Sequence, residues 1–376
     1  MAKPGEKEPS ALSARSRIYR TLYNSRDLCT KQSLANSCSI SMPTVYQNLR
    51  ELMADGLVRY SGQEQSTGGR KAQGLDIVPE ARMSVGIAVE EHKLRLIAVD
   101  LRLQELAYRE LQFDLVASLS ERSVSLAETL ETFLDANQLD RSKLLGVGVT
   151  IPGLISPDHT RILFAPTLNL RDVPLQALTQ GIPYPLLVEN DGSASGHAEC
   201  CVRGAGKNMA YISLEDGVGG AVLMNGKPYE GDLVQSGEFG HICVEPGGLR
   251  CSCGRHGCLE AYCSARRIET TLGVSAEEFF RGAAEHVPEY EQLLYDMLRH
   301  LAIAINNIYL VLNCDVVVGG FLSEYLQPYL PVLRRYVLSC SPFAENADFV
   351  RLSALRRHIT PLGAALYHVR EFVDQI

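Results

Sequence analysis

The stretch from residue 240 to residue 260, GHICVEPGGLRCSCGRHGCLE, carries three of its cysteines within eight positions, shortly after His241. Three thiolates and one imidazole complete a tetrahedral zinc site and leave no position for a catalytic water. The spacing therefore predicts a structural zinc held by His241, Cys251, Cys253 and Cys258. Buried thiols without a metal are the alternative. A DNA-reading zinc finger is disfavoured, because the segment VEPGGLR between the ligands cannot form a recognition helix.

The composition indicates a globular protein of the cytoplasm. The N-terminal residues MAKPGEKEPS are polar, and the chain has no apolar run of about eighteen residues, so neither an export signal nor a membrane span is predicted. Without an export signal, the 11 cysteines are expected to stay reduced and to act as metal ligands rather than disulfides. We expect no membrane partner.

The charge is divided unevenly along the 376 residues. The net charge is −8, yet residues 1–75 contain 11 Lys and Arg against 6 Asp and Glu, which leaves the remainder strongly acidic. A basic segment joined to an acidic body suggests an anion-binding module attached to a domain with a different task. The length allows two or three domains.

The basic segment predicts three short helices followed by two strands. Thr30 and Ser41 can cap the second and third helices, and Gly56 ends the third. One face of the third helix is apolar, at Val45, Leu49 and Leu52. The other side, which a helix-turn-helix presents to base edges and phosphates, carries the predicted DNA-binding residues Ser41, Thr44, Tyr46, Gln47 and Arg50.

The loop between the two strands, SGQEQSTGGRK, is polar and contains two adjacent glycines, as expected for a wing. The tight backbone that glycine permits would let Gly69, Arg70 and Lys71 contact phosphates or a narrow minor groove. A helical bundle used for protein contacts is the alternative. The order of helices, glycine and strands is more specific than any one part, and it favours double-stranded DNA as the partner.

From about Met83 the pattern changes to alternating apolar strands and helical runs, which predicts an α/β architecture with a ligand cleft. Asn190 and Asp191 follow an apolar strand, the position at which such folds expose functional side chains. The glycine-rich stretch LEDGVGGAVLMNGKPYEG permits close approach by a phosphate or a sugar, and GEFGH adds Glu238 and His241.

These features resemble the ROK family, a group of sugar kinases and sugar-responsive repressors with the actin-like ATPase (ribonuclease H-like) fold. The most specific section is LEDGVGGAVLMNGKPYEGDLVQSGEFGH, residues 214–241, with the cysteine motif after it. The resemblance is to the repressor branch and implies a multidomain chain with α+β and α/β parts. Its expected domains are a winged helix-turn-helix (1–79), a first lobe (80–192) to which a C-terminal helix (361–376) returns, and a second lobe with the zinc site (193–360).

The resemblance also implies a sugar site in the cleft between the two lobes. Paired hydrogen-bond acceptors and donors suit sugar hydroxyls, and carboxylates with amides at a cleft wall provide both. By the family's pattern, the sugar-binding residues are Gly153, Asn169, Asn190, Asp191, Glu238, His241 and Glu260. In the family's kinases, Asp191 would be the general base that deprotonates the attacking sugar hydroxyl.

The first phosphate loop departs from the kinase pattern. Family kinases carry Asp-x-Gly-Gly-Thr where this chain reads AVEEH, with Ala88, Glu90, Glu91 and His92 in place of the functional residues. One like-charge contact at about 4 Å costs roughly 4 kcal/mol at an effective dielectric constant of 20, enough to weaken nucleotide binding roughly a thousandfold. Glu215 and Asp216 alter the second phosphate loop as well. We expect no kinase activity and regard Asp191 as a vestigial base.

The sequence thus predicts a sugar-responsive DNA-binding transcription regulator, a repressor by analogy with most regulators of the family. The alternative is an ATP-dependent ROK sugar kinase with an accessory DNA-binding domain. Structural Zn²⁺ is the expected cofactor. The expected partners are operator DNA, a sugar or sugar phosphate, and further copies of the chain in a homodimer or homotetramer, because winged-helix modules gain affinity from two half-sites.

Overall fold

The computed structural model describes residues 13–25, 27–63, 73–113, 125–204, 208–355 and 358–376. These residues form a small N-terminal unit, two larger sheets and a set of helices around them. None of the described helices combines the length and the apolar character needed to cross a membrane.

The N-terminal unit consists of three helices and a two-stranded antiparallel hairpin. Its elements are α1 (Ala14–Asn24), α2 (Lys31–Cys38), α3 (Met42–Ala54), β1 (Val58–Gln63) and β2 (Gln73–Ile77). The N-terminal ends follow from side-chain caps: Thr30 and Ser33 form a capping box, and Ser41 caps α3 with Pro43 in its first turn. The predicted apolar stripe of α3 is buried.

The first large sheet has the strand order β10-β6-β3-β4-β5. Strands β3, β4 and β5 form an antiparallel meander, whereas β6 and β10 run parallel to β3. A small antiparallel sheet, β7-β8-β9, and two helices complete this lobe. The bounds are β3 Met83–Val89, β4 Lys93–Asp100, β5 Glu105–Gln112, α4 Leu126–Ala136, β6 Leu144–Ile151, β7 Leu154–Ile155, β8 Arg161–Ala165, β9 Leu170–Pro174, α5 Leu175–Thr179 and β10 Leu186–Asn190.

The second large sheet has the order β13-β12-β11-β14-β15, and it shares its core with the longest of the described helices. Helix α6 connects the two sheets and begins immediately after β10. The bounds are α6 Asp191–Arg203, β11 Met209–Leu214, β12 Val218–Met224, β13 Lys227–Pro228, α7 Glu260–Cys263, α8 Ala265–Leu272, α9 Ala276–Ala284, α10 Pro288–Leu312, β14 Asp315–Gly319, α11 Leu330–Cys340 and β15 Val350–Leu352.

The C-terminal helix α12 (Ile359–Gln375) lies against β3 and β6 of the first sheet and against α6. Glycines in both strands permit this close packing. A Cβ at Gly86 would lie 1.8 Å from the carbonyl oxygen of Pro361, and one at Gly148 would lie 2.1 Å from that of Ala364. The two mixed sheets, with α6 and α12 between them, agree with the expected two-lobed body.

The same C-terminal helix also holds the N-terminal unit. The rings of Tyr19 and Phe372 meet edge to face with centroids 6.3 Å apart, and Arg20 pairs with Asp374 at 3.2 Å. In the turn after β4, the Arg102 guanidinium donates to the carbonyl oxygen of Tyr23 at 2.5 Å and pairs with Asp76 at 2.6 Å. The N-terminal unit therefore packs on the first lobe through buried apolar contacts and paired charges.

Candidate functional site

The predicted zinc ligands converge on one point. His241, Cys251, Cys253 and Cys258 each offer a ligand atom within 4.8 Å of all the others. Sγ of Cys253 lies 3.8 Å from Sγ of Cys258, and Sγ of Cys251 lies 3.8 Å from Nδ1 of His241. Zn–S bonds of about 2.3 Å in a tetrahedron place two sulfur atoms about 3.8 Å apart. The four side chains therefore fit a tetrahedral zinc ion with no further ligand.

The metal cluster adjoins one of the predicted sugar-binding carboxylates. Ser252 lies between two of the cysteines in sequence, and its Oγ donates to Oε1 of Glu260 at 2.5 Å. Oε2 of the same carboxylate accepts from the backbone N–H of Val218 at 3.2 Å. A Cβ at Gly217 would lie 2.9 Å from that oxygen, so the glycine-rich turn leaves room for Glu260. The glycine-rich turn and the loop that carries the predicted zinc ligands (residues 241–258, the metal loop) together hold the Glu260 side chain in place.

A cleft between the lobes contains several of the other predicted sugar-binding residues. It is narrow and partly open to solvent, and Gly153, Asn190 and Glu238 line it. Nδ2 of Asn190 donates to the carbonyl oxygen of Gly153 at 3.0 Å. The pKa of Glu238 is raised, chiefly by desolvation; the charge of Glu260 raises it further and that of His241 lowers it.

Two of the predicted sugar-binding residues, Asp191 and Asn169, are not among the residues that line the cleft. Asp191 begins α6 directly after Asn190, which lines the cleft, and its Oδ1 accepts from the backbone N–H of Gly192 at 2.8 Å. Burial raises the pKa of Asp191 to about 6, and the charges of Glu238 and Glu90 add to the increase. Asn169 is exposed, with a left-handed backbone at φ 52°, and it is not among the residues that line the cleft. Its role as a sugar ligand stays a prediction.

The two altered phosphate loops lie near each other, since the charges of Glu90 and Arg95 act on the Glu215 carboxyl group. Glu90 contacts Arg95 and lies 3.3 Å from Nζ of Lys93, so its charge is already neutralised, which the sequence analysis had not anticipated. Ala88 is buried and pairs with Arg95 in the strand register. Burial raises the pKa of Glu215 to about 8; Arg95 opposes the increase, and Glu90 and Asp191 add to it. Three carboxyl groups and an arginine thus occupy this region.

The predicted DNA-binding residues of α3 lie on its open side. Tyr46, Gln47 and Arg50 are exposed, and Ser41 caps the helix by accepting from the backbone N–H of Thr44. Nζ of Lys31 lies 4.5 Å from the centre of the Tyr46 ring. Lys31 was not among the predicted DNA-binding residues, although it directly follows the predicted helix cap Thr30. Gly69, Arg70 and Lys71 lie outside the described residues.

Among the lining residues of the cleft that were not predicted, three are titratable, namely His159, Glu189 and Glu230. Glu189 directly precedes the Asn190–Asp191 pair in the stretch VENDG, so its position was available as a signal. His159 and Glu230 come from separate loops in different lobes, and no local pattern links them.

Comparisons with known proteins identify relatives of this chain. A sequence model of the ROK family matches residues 84–368. The xylose repressor of Bacillus subtilis (strain 168) is 28% identical over 329 residues, covering 85% of this chain and 81% of the repressor. A glucokinase of Halalkalibacterium halodurans is 34% identical over 270 residues, covering 64% of this chain and 81% of the kinase.

One solved structure matches nearly the whole chain. It is that of a ROK family transcriptional regulator described as a homolog of the E. coli MLC protein, with a TM-score of 0.74, 22% identity and coverage of 96% of each chain. At this identity the likeness establishes the fold. Because the family match spans most of the chain, from the first strand of the body to the C-terminal helix, the chain belongs to the ROK family.

Proposed function

We propose that this chain is a transcription regulator that binds DNA through its N-terminal unit and changes its DNA affinity when a sugar enters the cleft. The observation that carries the proposal is the open face of α3 in a unit that precedes the ROK match. Thr44, Tyr46, Gln47 and Arg50 lie opposite or beside a buried apolar stripe, the arrangement that a recognition helix requires. The similarity to a xylose repressor over 85% of the chain supports the same function.

The packing supports a route from the cleft to the DNA-binding unit. Helix α6 starts directly after Asn190, which lines the cleft, and packs along α12. Helix α12 in turn contacts α1 through Tyr19 and Phe372. A sugar that shifts α6 would shift α12, and with it the position of the N-terminal unit. Ligand and DNA are then coupled reciprocally, because each favours one arrangement of the same helices.

Zinc fits this proposal as a structural ion. His241, Cys251, Cys253 and Cys258 would hold it, and it would supply rigidity to the loop that orients Glu260 through Ser252. Since Nδ1 of His241 lies on the side of Cys251, Nε2 would stay available for a sugar hydroxyl. Binding of the ion would close a loop that has little regular secondary structure of its own.

The phosphate loops support a regulator rather than a kinase. Glu90 and Arg95 fill a region that a nucleotide would need open, and Glu215 adds a third bulky polar side chain. A triphosphate would have to displace the Glu90–Arg95 pair and then approach Asp191 and Asp216. A coupled assay for ADP with ATP, Mg²⁺ and a panel of hexoses, pentoses and hexosamines tests this point. Turnover of any sugar would favour the kinase alternative.

DNA binding is tested by selecting duplexes from a random-sequence pool with the full chain and then measuring the affinity of the selected duplex. We expect Arg50→Ala to weaken binding by about tenfold and to lower the salt dependence by about one ion. Arg335→Ala is the matched control, since Arg335 is exposed on α11 in the body. Failure to select any duplex, or equal losses in the two variants, would contradict the proposal.

A further inference from the structure

A histidine and a glutamate from different lobes meet at the lining of the cleft. Nε2 of His159, from the turn before β8, lies 3.9 Å from Oε1 of Glu230, which follows β13. Nδ1 of His159 lies 3.1 Å from the carbonyl oxygen of Val188, which fixes the ring. Both side chains keep about a third of their surface exposed, 35% and 38%. Since both side chains line the cleft and are partly exposed, a ligand in the cleft would contact them directly.

A second carboxyl group stands behind the pair. Glu189 is 7% exposed, its Oε1 accepts from the backbone N–H of Asn190 at 2.8 Å, and its Oε2 accepts from the Tyr367 hydroxyl at 3.3 Å. Burial raises the pKa of Glu189; the charge of Glu230 raises it further, and that of His159 lowers it. This wall of the cleft is acidic, with one imidazole as its only basic group among the lining residues that the structure describes.

The cleft lacks the usual groups that bind a phosphate. Proteins meet phosphates with arginine, lysine or free N–H groups at a helix N-terminus. Within the described part of the chain, the lining residues include Glu189, Glu230 and Glu238 but no arginine or lysine. The N-terminus of α6 is also committed. Its N–H groups at Gly192 and Ser193 donate to the side chains of Asp191 and Asn190, at 2.8 and 3.0 Å.

The two cations of strand β4 are already paired. Arg95 contacts Glu90, and Lys93 lies 3.3 Å from Glu90 and 3.8 Å from Glu110. A phosphate on the Asp191 side of a bound sugar would have to compete with these carboxylates for the same cations. On the opposite side it would meet Glu189 and Glu230. Hydroxyl groups, in contrast, can donate to every one of these carboxylates.

The backbone on both sides of the pair is held in an uncommon conformation. His159 has φ 51°, and Val234, which lines the cleft a few residues after Glu230, also has φ 51°. A β-branched residue at positive φ is a true outlier, because its Cβ crowds the backbone. Such conformations persist where the surrounding structure requires them, often at ligand-binding segments. The two segments that carry the pair are therefore built to hold their positions.

We propose that the cleft selects an uncharged, unphosphorylated monosaccharide and that Glu230, held opposite His159, is a specificity-determining residue that rejects the phosphorylated form of the same sugar. This inference rests on the proposed sugar-binding function and narrows it to one ligand class.

Calorimetric titration of the full chain tests the inference with matched pairs of probes: D-glucose and glucose 6-phosphate, and N-acetyl-D-glucosamine and its 6-phosphate, with D-xylose as a sugar without a 6-position. We expect the wild-type chain to bind at least one unphosphorylated sugar, and to bind the corresponding 6-phosphate about a hundredfold more weakly or not at all. Glu230→Gln removes one like charge, so it should narrow that ratio by about tenfold. Glu277→Gln, which makes the same change at an exposed site on α9, should leave the ratio unchanged.

The outcomes separate this inference from the function on which it rests. Equal or tighter binding of a 6-phosphate by the wild-type chain would overturn the inference and leave a sugar-responsive regulator intact. An unchanged ratio in a folded Glu230→Gln variant would remove Glu230 from the account. If no probe of either kind binds, the sugar-binding function and the inference both fail. The wild-type comparison decides the ligand class even if the variant does not fold.

Discussion

Replacing Asp191 with asparagine should make the protein more stable while it abolishes sugar binding. The pKa of Asp191 is raised from 3.8 to about 6, because burial penalises the carboxylate and Glu238 and Glu90 repel it. The folded state therefore binds its proton more tightly than the unfolded state does. In this situation the carboxylate lowers stability as the pH rises from about 4 to 6, and the whole penalty is present above about pH 6.

The magnitude follows from the size of the shift. A change of about two units corresponds to about 3 kcal/mol, and screening by water in the open cleft reduces the expected effect to about 1 to 2 kcal/mol. Asp191→Asn is nearly isosteric and removes the charge. At pH 7.5 we expect the variant to melt about 1 to 3 °C higher than the wild type. Below about pH 4 the advantage should vanish, because the wild-type carboxyl group is then protonated as well.

Thermal unfolding of both proteins across this pH range, followed by circular dichroism, measures the effect. Asp27→Asn is the matched control, since Asp27 is exposed, and it should shift the melting temperature by less than a degree or so. Calorimetry with a sugar that the wild-type chain binds should show no binding to Asp191→Asn. A variant that is less stable than the wild type at pH 7.5, or a gain that is the same at every pH, would refute the reasoning about desolvation.

Two further predictions concern the metal loop and the C-terminal helix. The purified chain should contain about one zinc per protomer. Cys251→Ser combined with Cys253→Ser should remove the zinc, lower the melting temperature by at least about 5 °C and abolish sugar binding. Elemental analysis and calorimetry measure these effects, and full sugar affinity without zinc would contradict the prediction. Phe372→Ala should leave sugar affinity within about twofold but reduce the effect of sugar on DNA affinity at least about threefold, because the edge contact to Tyr19 is lost; an unchanged effect would exclude this contact from the route.

The local features of the molecule could be predicted from the sequence. The convergence of His241 with three cysteines could be predicted, because all four lie within eighteen positions of one another and their type and spacing suit one metal. The third helix was predicted from its cap and its apolar period, and the structure buries Val45, Leu49 and Leu52 as expected. In both cases the information lies in one short segment of the chain, where residue type, capping and spacing act directly.

The contacts that join distant parts of the chain could not be predicted in this way. His159 and Glu230 meet across the cleft only because two loops from different lobes are brought together by the sheets. Tyr19 and Phe372 lie near opposite ends of the chain, and no periodic pattern links them. The pairing of Glu90 with Arg95 follows from the register of β3 and β4, which places Ala88 beside Arg95. A register of this kind depends on tertiary packing more than on local preference.

The central claim is that occupancy of the cleft by a sugar alters DNA affinity without any transfer of phosphate. The most direct measurement is the dissociation constant of the full chain for its selected duplex, at fixed salt and without ATP, as the sugar is titrated to saturation. The account predicts a change of at least about fivefold, together with an equal change in sugar affinity when DNA is saturating. A DNA affinity that stays constant while the sugar demonstrably fills the cleft would contradict it.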